Sequence, residues 1–231
     1  MKIRLAAILL TLSACCYLLP GCGVTTPPLT PIHVPLTDNV VFIGDSITFR
    51  WTEDPAFQAH TNWIDKGING QSSFLVALRF ESDVIALRPR AVHILVGTND
   101  VYPGWQPCVA PRVGVPFPGD TCANILYMVQ TSERYGIKVV LGTIPPWGCP
   151  YDPHCGQSLP DQTPARYQRI VDLNNFLKDF AAKENLTIVD YHTILEDPTG
   201  LYYAPGLTDD GVHPSVKGFE LMTPAVAKAL E

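Results

Sequence analysis

The sequence predicts a three-layer α/β/α fold, in which helices cover both faces of a five-stranded parallel sheet. Three observations predict it: short apolar runs recur along the chain, helical patterns lie between them, and the runs are nearly continuous. Continuous apolar runs are typical of parallel strands that are buried on both faces. Alternation of strands with helices favours a parallel sheet for the same chain.

Five β-rich runs are predicted as strands, at residues 40–44, 62–68, 91–97, 138–143 and 186–191. Four of them contain the nearly uninterrupted apolar segments VVFIG, AVHILVG, KVVLGT and LTIVDY. The chain has 231 residues, of which 46% are hydrophobic and only 16% are charged. This is enough to bury one good core, so we expect one domain.

Two helices are predicted between these strands. The first spans residues 72–87 and stops before Pro89. Its apolar stripe consists of Leu75, Leu78 and Ile85. The second spans residues 164–184, where Thr163 is placed to cap the helix and Pro164 suits its first position. Its inward residues are Ile170, Leu173, Leu177 and Phe180.

A final helix is predicted from about residue 215 to residue 230. Its inward positions are Val216, Phe219, Met222 and Val226. Pro224 lies inside this pattern and is expected to kink or interrupt the helix, because proline lacks the backbone N–H that a helix interior requires.

The charge pattern excludes one class of partner. The formal net charge is −6, and no lysine or arginine cluster follows the first few residues. Binding to nucleic acid phosphates needs a positive patch, so we expect no nucleic acid partner.

The amino-terminal residues are predicted to be a targeting segment outside the fold. Lys2 and Arg4 precede the run LAAILLTL, which is too short to span a bilayer but suits a signal peptide. The segment that ends at Cys15 resembles the bacterial lipobox, whose cysteine is lipidated. Cys22 is the alternative lipidation site, and an ordinary cleaved signal peptide is a further one.

These features divide the chain into three parts. We predict a signal peptide with lipobox-like cysteines at residues 1–22, a proline-rich tether at 23–37 and one folded domain at 38–231. The expected location is the bacterial cell envelope, as a periplasmic or outer-surface lipoprotein that meets a membrane only through its lipid anchor. Secretion is the alternative.

Four further cysteines lie in two proline-rich loops: Cys108, Cys122, Cys149 and Cys155. In an exported protein they are most simply two disulfides. Of the three possible pairings we favour the two local ones, Cys108–Cys122 and Cys149–Cys155. The alternative, a metal site at His154 and Cys155, has no paired C-x-x-C motif to support it, so we expect no metal.

Polar or glycine-rich blocks follow the predicted strands. They are Gly44-Asp45-Ser46, Gly67 to Ser72, Gly97 to Asp100, and Asp210 to Pro214 before the last helix. In open parallel α/β sheets, ligands bind beyond the carboxyl ends of the strands. All four blocks are therefore predicted to lie at the edge of the sheet formed by the carboxyl ends of its strands, where a ligand would bind.

Together GDSIT, the NG of GINGQSS, GTND and DGVHP resemble the four sequence blocks of the SGNH, or GDSL-type, hydrolases. The resemblance covers the chain from about Val40 to Leu230, with the blocks in family order. It is greatest to the bacterial lysophospholipase-L1-like and platelet-activating-factor-acetylhydrolase-like branch. It implies a flavodoxin-like fold and a carboxylic ester hydrolase that needs no cofactor.

Each block supplies a part that ester hydrolysis requires. Ser46 is the predicted nucleophile, His213 the base, and Asp210 the acid that orients the imidazole. The predicted oxyanion donors are the backbone N–H groups of Ser46 and Gly70 and the side-chain amide of Asn99. Taken singly these residues could be ordinary capping or turn residues, but unrelated turns have no reason to supply every part of one mechanism.

The predicted function is hydrolysis of short, acetyl-type acyl esters, with a small ester or an acetylated carbohydrate as substrate. Lysophospholipase or lipase-like hydrolysis and polysaccharide O-acyl transfer would use the same residues and are the alternatives. A non-catalytic glycan-binding lipoprotein is disfavoured because none of these residues is missing.

Two long loops depart from the family pattern, at residues 101–122 and 145–164. Both follow strands, so they are expected to wall the cleft and to set substrate choice. The aromatic residues proposed to line it are Trp105, Trp147, Tyr202 and Tyr203.

Overall fold

The computed structural model describes residues 31–101, 116–151, 155 and 164–231. Five strands form one sheet: β1 (Thr37–Gly44), β2 (Trp63–Gly67), β3 (Pro89–Leu95), β4 (Lys138–Gly142) and β5 (Thr187–Val189). Their order is β2-β1-β3-β4-β5, and every neighbouring pair is parallel. The predicted five-stranded parallel sheet is therefore confirmed.

Eight α-helices flank the sheet within these ranges. They are α1 (Ser46–Arg50), α2 (Pro55–Gln58), α3 (Ser73–Leu78), α4 (Phe80–Asp83), α5 (Thr121–Arg134), α6 (Pro164–Lys183), α7 (Tyr191–Leu195) and α8 (Val216–Leu230). Short 3₁₀ turns follow α1 at Trp51–Glu53 and α4 at Ile85–Leu87. In the described part of the chain, none of these helices is long and apolar enough to cross a membrane.

The core consists of two apolar layers, one on each face of the sheet. Val41 and Ile43 of β1 point into the layer shared with α3, α5 and α6, while Val40 and Phe42 point into the layer shared with α8. All four side chains are fully buried. Because successive strand residues face opposite sides, a strand between two layers needs an apolar residue at every position.

His93 lies in β3, within an apolar run, and belongs to the core. Its side chain is fully buried, and Nε2 lies 2.9 Å from the hydroxyl oxygen of Tyr191. Burial disfavours the charged ring and lowers the pKa of His93 to about 3. His93 is therefore neutral at physiological pH and lies apart from the catalytic blocks.

The predicted helix over residues 72–87 is wrong in detail. The chain forms α3, breaks at Arg79 (φ −102°, ψ 4°) and restarts as α4. Leu75 and Leu78 of the predicted stripe are 44% and 60% exposed, whereas Val76 and Phe80 are buried. Apolar residues occur on every side of this segment, so sequence periodicity did not indicate which side faces the sheet.

Helix α5, which follows the first proline-rich loop, was not predicted from the sequence. Asp120 caps this helix by accepting a hydrogen bond from the N–H of Ala123 at 2.9 Å. The helix buries polar residues among apolar ones, including Thr121 and Asn124. This mixture hid the amphipathic pattern that would have predicted it.

The other two predicted helices are present, with small corrections. Helix α6 begins at Pro164 as predicted, and Thr163 lies outside the described residues. Helix α8 is capped by Ser215, whose hydroxyl accepts from the N–H of Gly218, and it continues through the exposed Pro224. Val216 is 42% exposed, so its predicted inward position is wrong.

Candidate active site

Ser46 lies at a sharp turn between strand β1 and helix α1. The strand ends at Gly44, where an added Cβ would overlap Thr48 Oγ1 and the carbonyl oxygen of Leu95. Asp45 then caps α1, because its Oδ1 accepts from the N–H of Ile47 at 2.9 Å. The close packing at Gly44 and the cap at Asp45 together fix where Ser46 leaves the sheet.

The predicted catalytic residues form one hydrogen-bonded chain. Ser46 Oγ lies 2.8 Å from Nε2 of His213, and Nδ1 of the same ring lies 2.7 Å from Oδ2 of Asp210. With the ring proton on Nδ1, Nε2 is free to accept the hydroxyl proton of Ser46. Ser46 and His213 are 167 positions apart in the sequence, so the fold alone brings them together.

Asp210 is held in its charged form. Burial works against the carboxylate, but hydrogen bonds from the His213 ring and from the backbone N–H groups of His213 and Val212 outweigh it. The pKa of Asp210 therefore lies well below its ordinary value. Arg50 at the end of α1 adds a donor, with Nη1 at 3.2 Å from Asp210 Oδ2. Arg50 was not among the residues predicted for the site.

The loop that carries Asp210 and His213 is stabilised by hydrogen bonds between its backbone and the side chains of Thr208 and Tyr203. The hydroxyl of Thr208 donates to the carbonyl of His213 at 2.7 Å and accepts from the N–H of Gly211 at 2.9 Å. The buried Tyr203 donates its hydroxyl to the carbonyl of Val212 at 2.8 Å. These bonds restrict the loop and keep the imidazole aimed at the serine.

The two remaining predicted oxyanion donors lie on neighbouring loops. Gly70 adopts φ +73°, a conformation that glycine accepts without strain, and its surroundings are open. Asn99 is exposed, and its Nδ2 donates to the carbonyl of Gln71 at 3.0 Å. The second amide proton has only a long contact, 3.4 Å, with Asp45 Oδ2. It is therefore the proton that can turn towards a bound oxyanion.

Two buried carboxyl groups support this edge of the sheet. Burial raises the pKa of Asp45 to about 7, and the neighbouring Asp100 adds to the increase. Burial also raises the pKa of Asp100, although it accepts hydrogen bonds from the Ser73 N–H, the Ser73 hydroxyl and the Thr121 hydroxyl. Through its hydrogen bonds with Ser73, Asp100 connects the Gly97–Asp100 block to the start of α3, which follows the loop that carries Gly70.

Arg79 and Gln71 are further site residues that the sequence analysis did not identify. Arg79 is the only charged residue in the apolar segment Phe74–Phe80, and its side chain is 14% exposed. A charged residue within an apolar run needs polar partners when it is buried, and that was the signal available in the sequence. Two of its partners, Gly44 and Gln71, lie on other segments and could not be read from the sequence, whereas Asp83 is only four residues further along.

The predicted aromatic lining needs correction. Trp147 is only 5% exposed and lies under the guanidinium of Arg166, 3.6 Å from its ring centroid, and Tyr203 is 1% exposed. Trp147 is therefore a core residue. Tyr203 is also buried, but it contributes to the wall of a cleft beside the catalytic loop, as predicted. Tyr202 is half-buried, and Trp105 lies outside the described residues.

The structure joins Cys149 to Cys155 in a disulfide, which is one of the two predicted pairs. Cys122 is also disulfide-bonded. Its predicted partner Cys108 lies outside the described residues, as do the lipidation candidates Cys15 and Cys22 and the alternative metal ligand His154. Within the described ranges, no three histidine, cysteine, aspartate or glutamate side chains form a group that could hold a metal ion.

Comparison with known proteins identifies the family of the chain. Residues 42–221 match the model of the GDSL-like lipase/acylhydrolase family. A solved structure of a GDSL-like lipase from Bacteroides thetaiotaomicron is 30% identical and superposes with a TM-score of 0.68. The similarity covers 84% of this chain and 87% of that one.

Two curated proteins are also similar. The lipoprotein YqeF of Bacillus subtilis is 31% identical over 126 residues, which cover 47% of this chain and 49% of YqeF, so the match spans about half of that relative. The acetylxylan esterase of Geobacillus stearothermophilus is 26% identical over 168 residues, 72% of this chain and 71% of the esterase.

Proposed function

The chain belongs to the GDSL-like lipase/acylhydrolase family, a family of ester hydrolases, and on that premise we propose that it is a serine esterase for short, acetyl-type esters. The resemblance drawn from the four sequence blocks is thereby confirmed. The observation that carries the proposal is the chain of hydrogen bonds from Ser46 through His213 to Asp210. The fold and the family do not by themselves assign these roles.

In the proposed mechanism, Ser46 Oγ attacks the acyl carbonyl while His213 Nε2 accepts its proton. Asp210 stabilises the imidazolium that forms. The backbone N–H groups of Ser46 and Gly70 and the amide of Asn99 hold the developing oxyanion. His213 then protonates the leaving alcohol, and an acyl group remains on Ser46. Water attacks this ester while His213 accepts its proton, and His213 then returns the proton to Ser46 Oγ as the carboxylic acid leaves.

An acetylated carbohydrate is the proposed natural substrate. A cleft of about 300 Å³ lies beside the catalytic loop, lined by Cys149, Tyr151, Tyr203, Ala204, Pro205, Gly206, Thr208 and Asp209. Tyr151 is 55% exposed, and its hydroxyl is anchored on Asp197. An aromatic face with carboxylate and backbone acceptors nearby suits a neutral polyhydroxylated ligand. The similarity to an acetylxylan esterase supports the same substrate class.

The cleft and the catalytic loop are connected by backbone hydrogen bonds. The N–H of Gly148 donates to the carbonyl of Gly211 at 2.7 Å, and the N–H of Tyr203 donates to the carbonyl of Gly148 at 3.1 Å. The Cys149–Cys155 disulfide holds the segment that carries Tyr151. A ligand in this cleft would therefore lie against the same segment that positions His213.

Replacing Tyr151 by alanine should change the choice of substrate more than the chemistry. We expect kcat/KM for an acetylated xylo-oligosaccharide to fall about tenfold, because an aromatic platform for the sugar is lost. With p-nitrophenyl acetate, which has no sugar ring, kcat/KM should stay within about twofold. Tyr135→Ala, at the far end of α5, is the control. Equal losses on both substrates would contradict a sugar-binding role for Tyr151.

The first test of the function is a p-nitrophenyl ester series from acetate to dodecanoate. We expect acetate to butyrate to be hydrolysed best, and dodecanoate roughly tenfold more slowly or worse, in line with the similarity to an acetylxylan esterase. An optimum at dodecanoate would replace the proposal by a lipase-like activity. If the folded protein hydrolyses no ester but transfers acetyl groups to an oligosaccharide, the proposed esterase activity is replaced by O-acyl transfer.

We also propose that the protein is exported and tethered by lipid at Cys15, with Cys22 as the alternative site. The basic and apolar amino terminus supports export, and the similarity to a lipoprotein supports the anchor. Such a tether would hold the esterase close to a membrane surface, where polymeric carbohydrate substrates can reach it.

A further inference from the structure

Arg79 lies at the break between α3 and α4 and points its guanidinium under the active-site loops. Its nitrogens contact three acceptors: Nη2 donates to the carbonyl of Gly44 at 2.9 Å, Nε to Gln71 Oε1 at 2.6 Å, and Nη1 to Asp83 Oδ2 at 2.7 Å. With a side chain only 14% exposed, Arg79 makes these bonds largely shielded from water. Such charge-assisted bonds are stronger than neutral ones.

The Gly44 carbonyl is where two catalytic segments meet. It ends strand β1, two residues before Ser46, and it accepts from the N–H of Ile68 at 3.2 Å as well as from Arg79. Ile68 begins the loop that leads to Gly70. Arg79 therefore binds the carbonyl group at which the turn before Ser46 and the loop before Gly70 are hydrogen-bonded to each other.

Gln71 extends this connection to the third oxyanion donor. Its side-chain oxygen binds Arg79, and its backbone carbonyl accepts from Asn99 Nδ2 at 3.0 Å. Gln71 directly follows Gly70, so fixing its side chain restricts the Gly70 peptide as well. The segments that carry all three proposed oxyanion donors thus converge on one guanidinium.

We propose that Arg79 is a positioning residue that sets the relative placement of the Ser46, Gly70 and Asn99 oxyanion donors. It acts through Gly44 and Gln71 and touches neither the nucleophile nor the base. The proposal rests on the proposed function, since it needs those three donors to bind the oxyanion. Arg79 lies between α3 and α4, outside the four sequence blocks that supply the other proposed site residues.

Arginine is required for this role because its planar fork reaches several acceptors at once. A lysine would supply one compact charge, which can satisfy Asp83 or a loop oxygen but cannot bridge the loops. Asp83 lies on the outer side of the fork and also faces Lys66 at 3.9 Å. It accepts from Nη1, the nitrogen that binds neither Gly44 nor Gln71, and an asparagine in its place would keep an acceptor there.

The test compares Arg79→Lys, Arg79→Ala and the control Asp83→Asn on p-nitrophenyl acetate. We expect both Arg79 variants to lose about 10- to 100-fold in kcat with KM within about threefold, because misplaced donors weaken binding of the transition state more than of the substrate. Asp83→Asn should stay within about twofold of wild type in kcat. Millimolar guanidinium should restore part of the kcat of Arg79→Ala, which loss of global stability alone would not allow.

The outcomes separate this inference from the proposed function. If Ser46→Ala remains active, the proposed function fails. If Ser46→Ala is inactive while folded Arg79→Lys keeps the wild-type kcat, only the positioning role is overturned. Should Arg79→Ala not fold, Gln71→Leu removes the bond from Arg79 to the segment that follows Gly70, and it must lower kcat by about tenfold with little change in KM. A wild-type kcat for folded Gln71→Leu would overturn the role equally.

Discussion

Ser46→Ala and His213→Ala should each abolish ester hydrolysis, with kcat lower by about 10⁴-fold or more. The first change removes the nucleophile, and the second removes the base that lies 2.8 Å from it. Because the two residues act in one step, the double variant should be no slower than either single variant beyond experimental error. Initial rates on p-nitrophenyl acetate, measured at high enzyme concentration, give the result.

Ser72→Ala is the matched control for Ser46→Ala. Ser72 also lies at the start of a helix after a strand, but its side chain makes no capping hydrogen bond. Its replacement should leave kcat within about twofold of wild type. A fluorophosphonate probe should label the wild type and Ser72→Ala at Ser46 and leave Ser46→Ala unlabelled. Full activity in folded Ser46→Ala would contradict the nucleophile assignment and the mechanism built on it.

Asn99→Ala should lower kcat by about 100- to 1000-fold, the usual cost of removing one oxyanion donor. The amide of Asn99 is exposed at the mouth of the site, and its second proton has only the 3.4 Å contact with Asp45. Its main interaction with substrate is therefore expected in the transition state, where the carbonyl oxygen carries charge. KM should change by less than about threefold.

Asn62→Ala is the control for this second prediction. Asn62 donates to the carbonyl of Asp38 at 2.9 Å, at the opposite edge of the sheet from Ser46. Its loss should affect thermal stability slightly and kcat hardly at all. If Asn99→Ala raises KM and leaves kcat unchanged, Asn99 binds the substrate uniformly and does not serve the oxyanion.

The resemblance to the family followed from the sequence because each block consists of few residues in fixed local spacing. Asp210 and His213 are three positions apart on one loop, and Asp45 and Ser46 are adjacent at a strand end. The carboxyl ends of parallel strands share one edge, so recognising the strands was enough to place the blocks together. The structure then gave the distances between them.

Burial was harder to predict. The ring of Trp147 was expected in the cleft but lies in the core, and Leu78 was expected inward but faces solvent. In each case the residue type suits either environment. Whether such a residue is buried depends on the element that packs against it. For Trp147 that element is α6, whose Arg166 places its guanidinium over the Trp147 ring.

The sequence by itself determined the apolar strands, their parallel arrangement and the local groups of polar residues at their ends, since these depend on spacing along the chain. Only the tertiary structure decided which distant groups support them. Arg50 meets Asp210 across 160 positions, and Arg79 meets Gly44 across 35. Such contacts form only when separate segments are packed against the same sheet, and no local pattern in a single sequence specifies them.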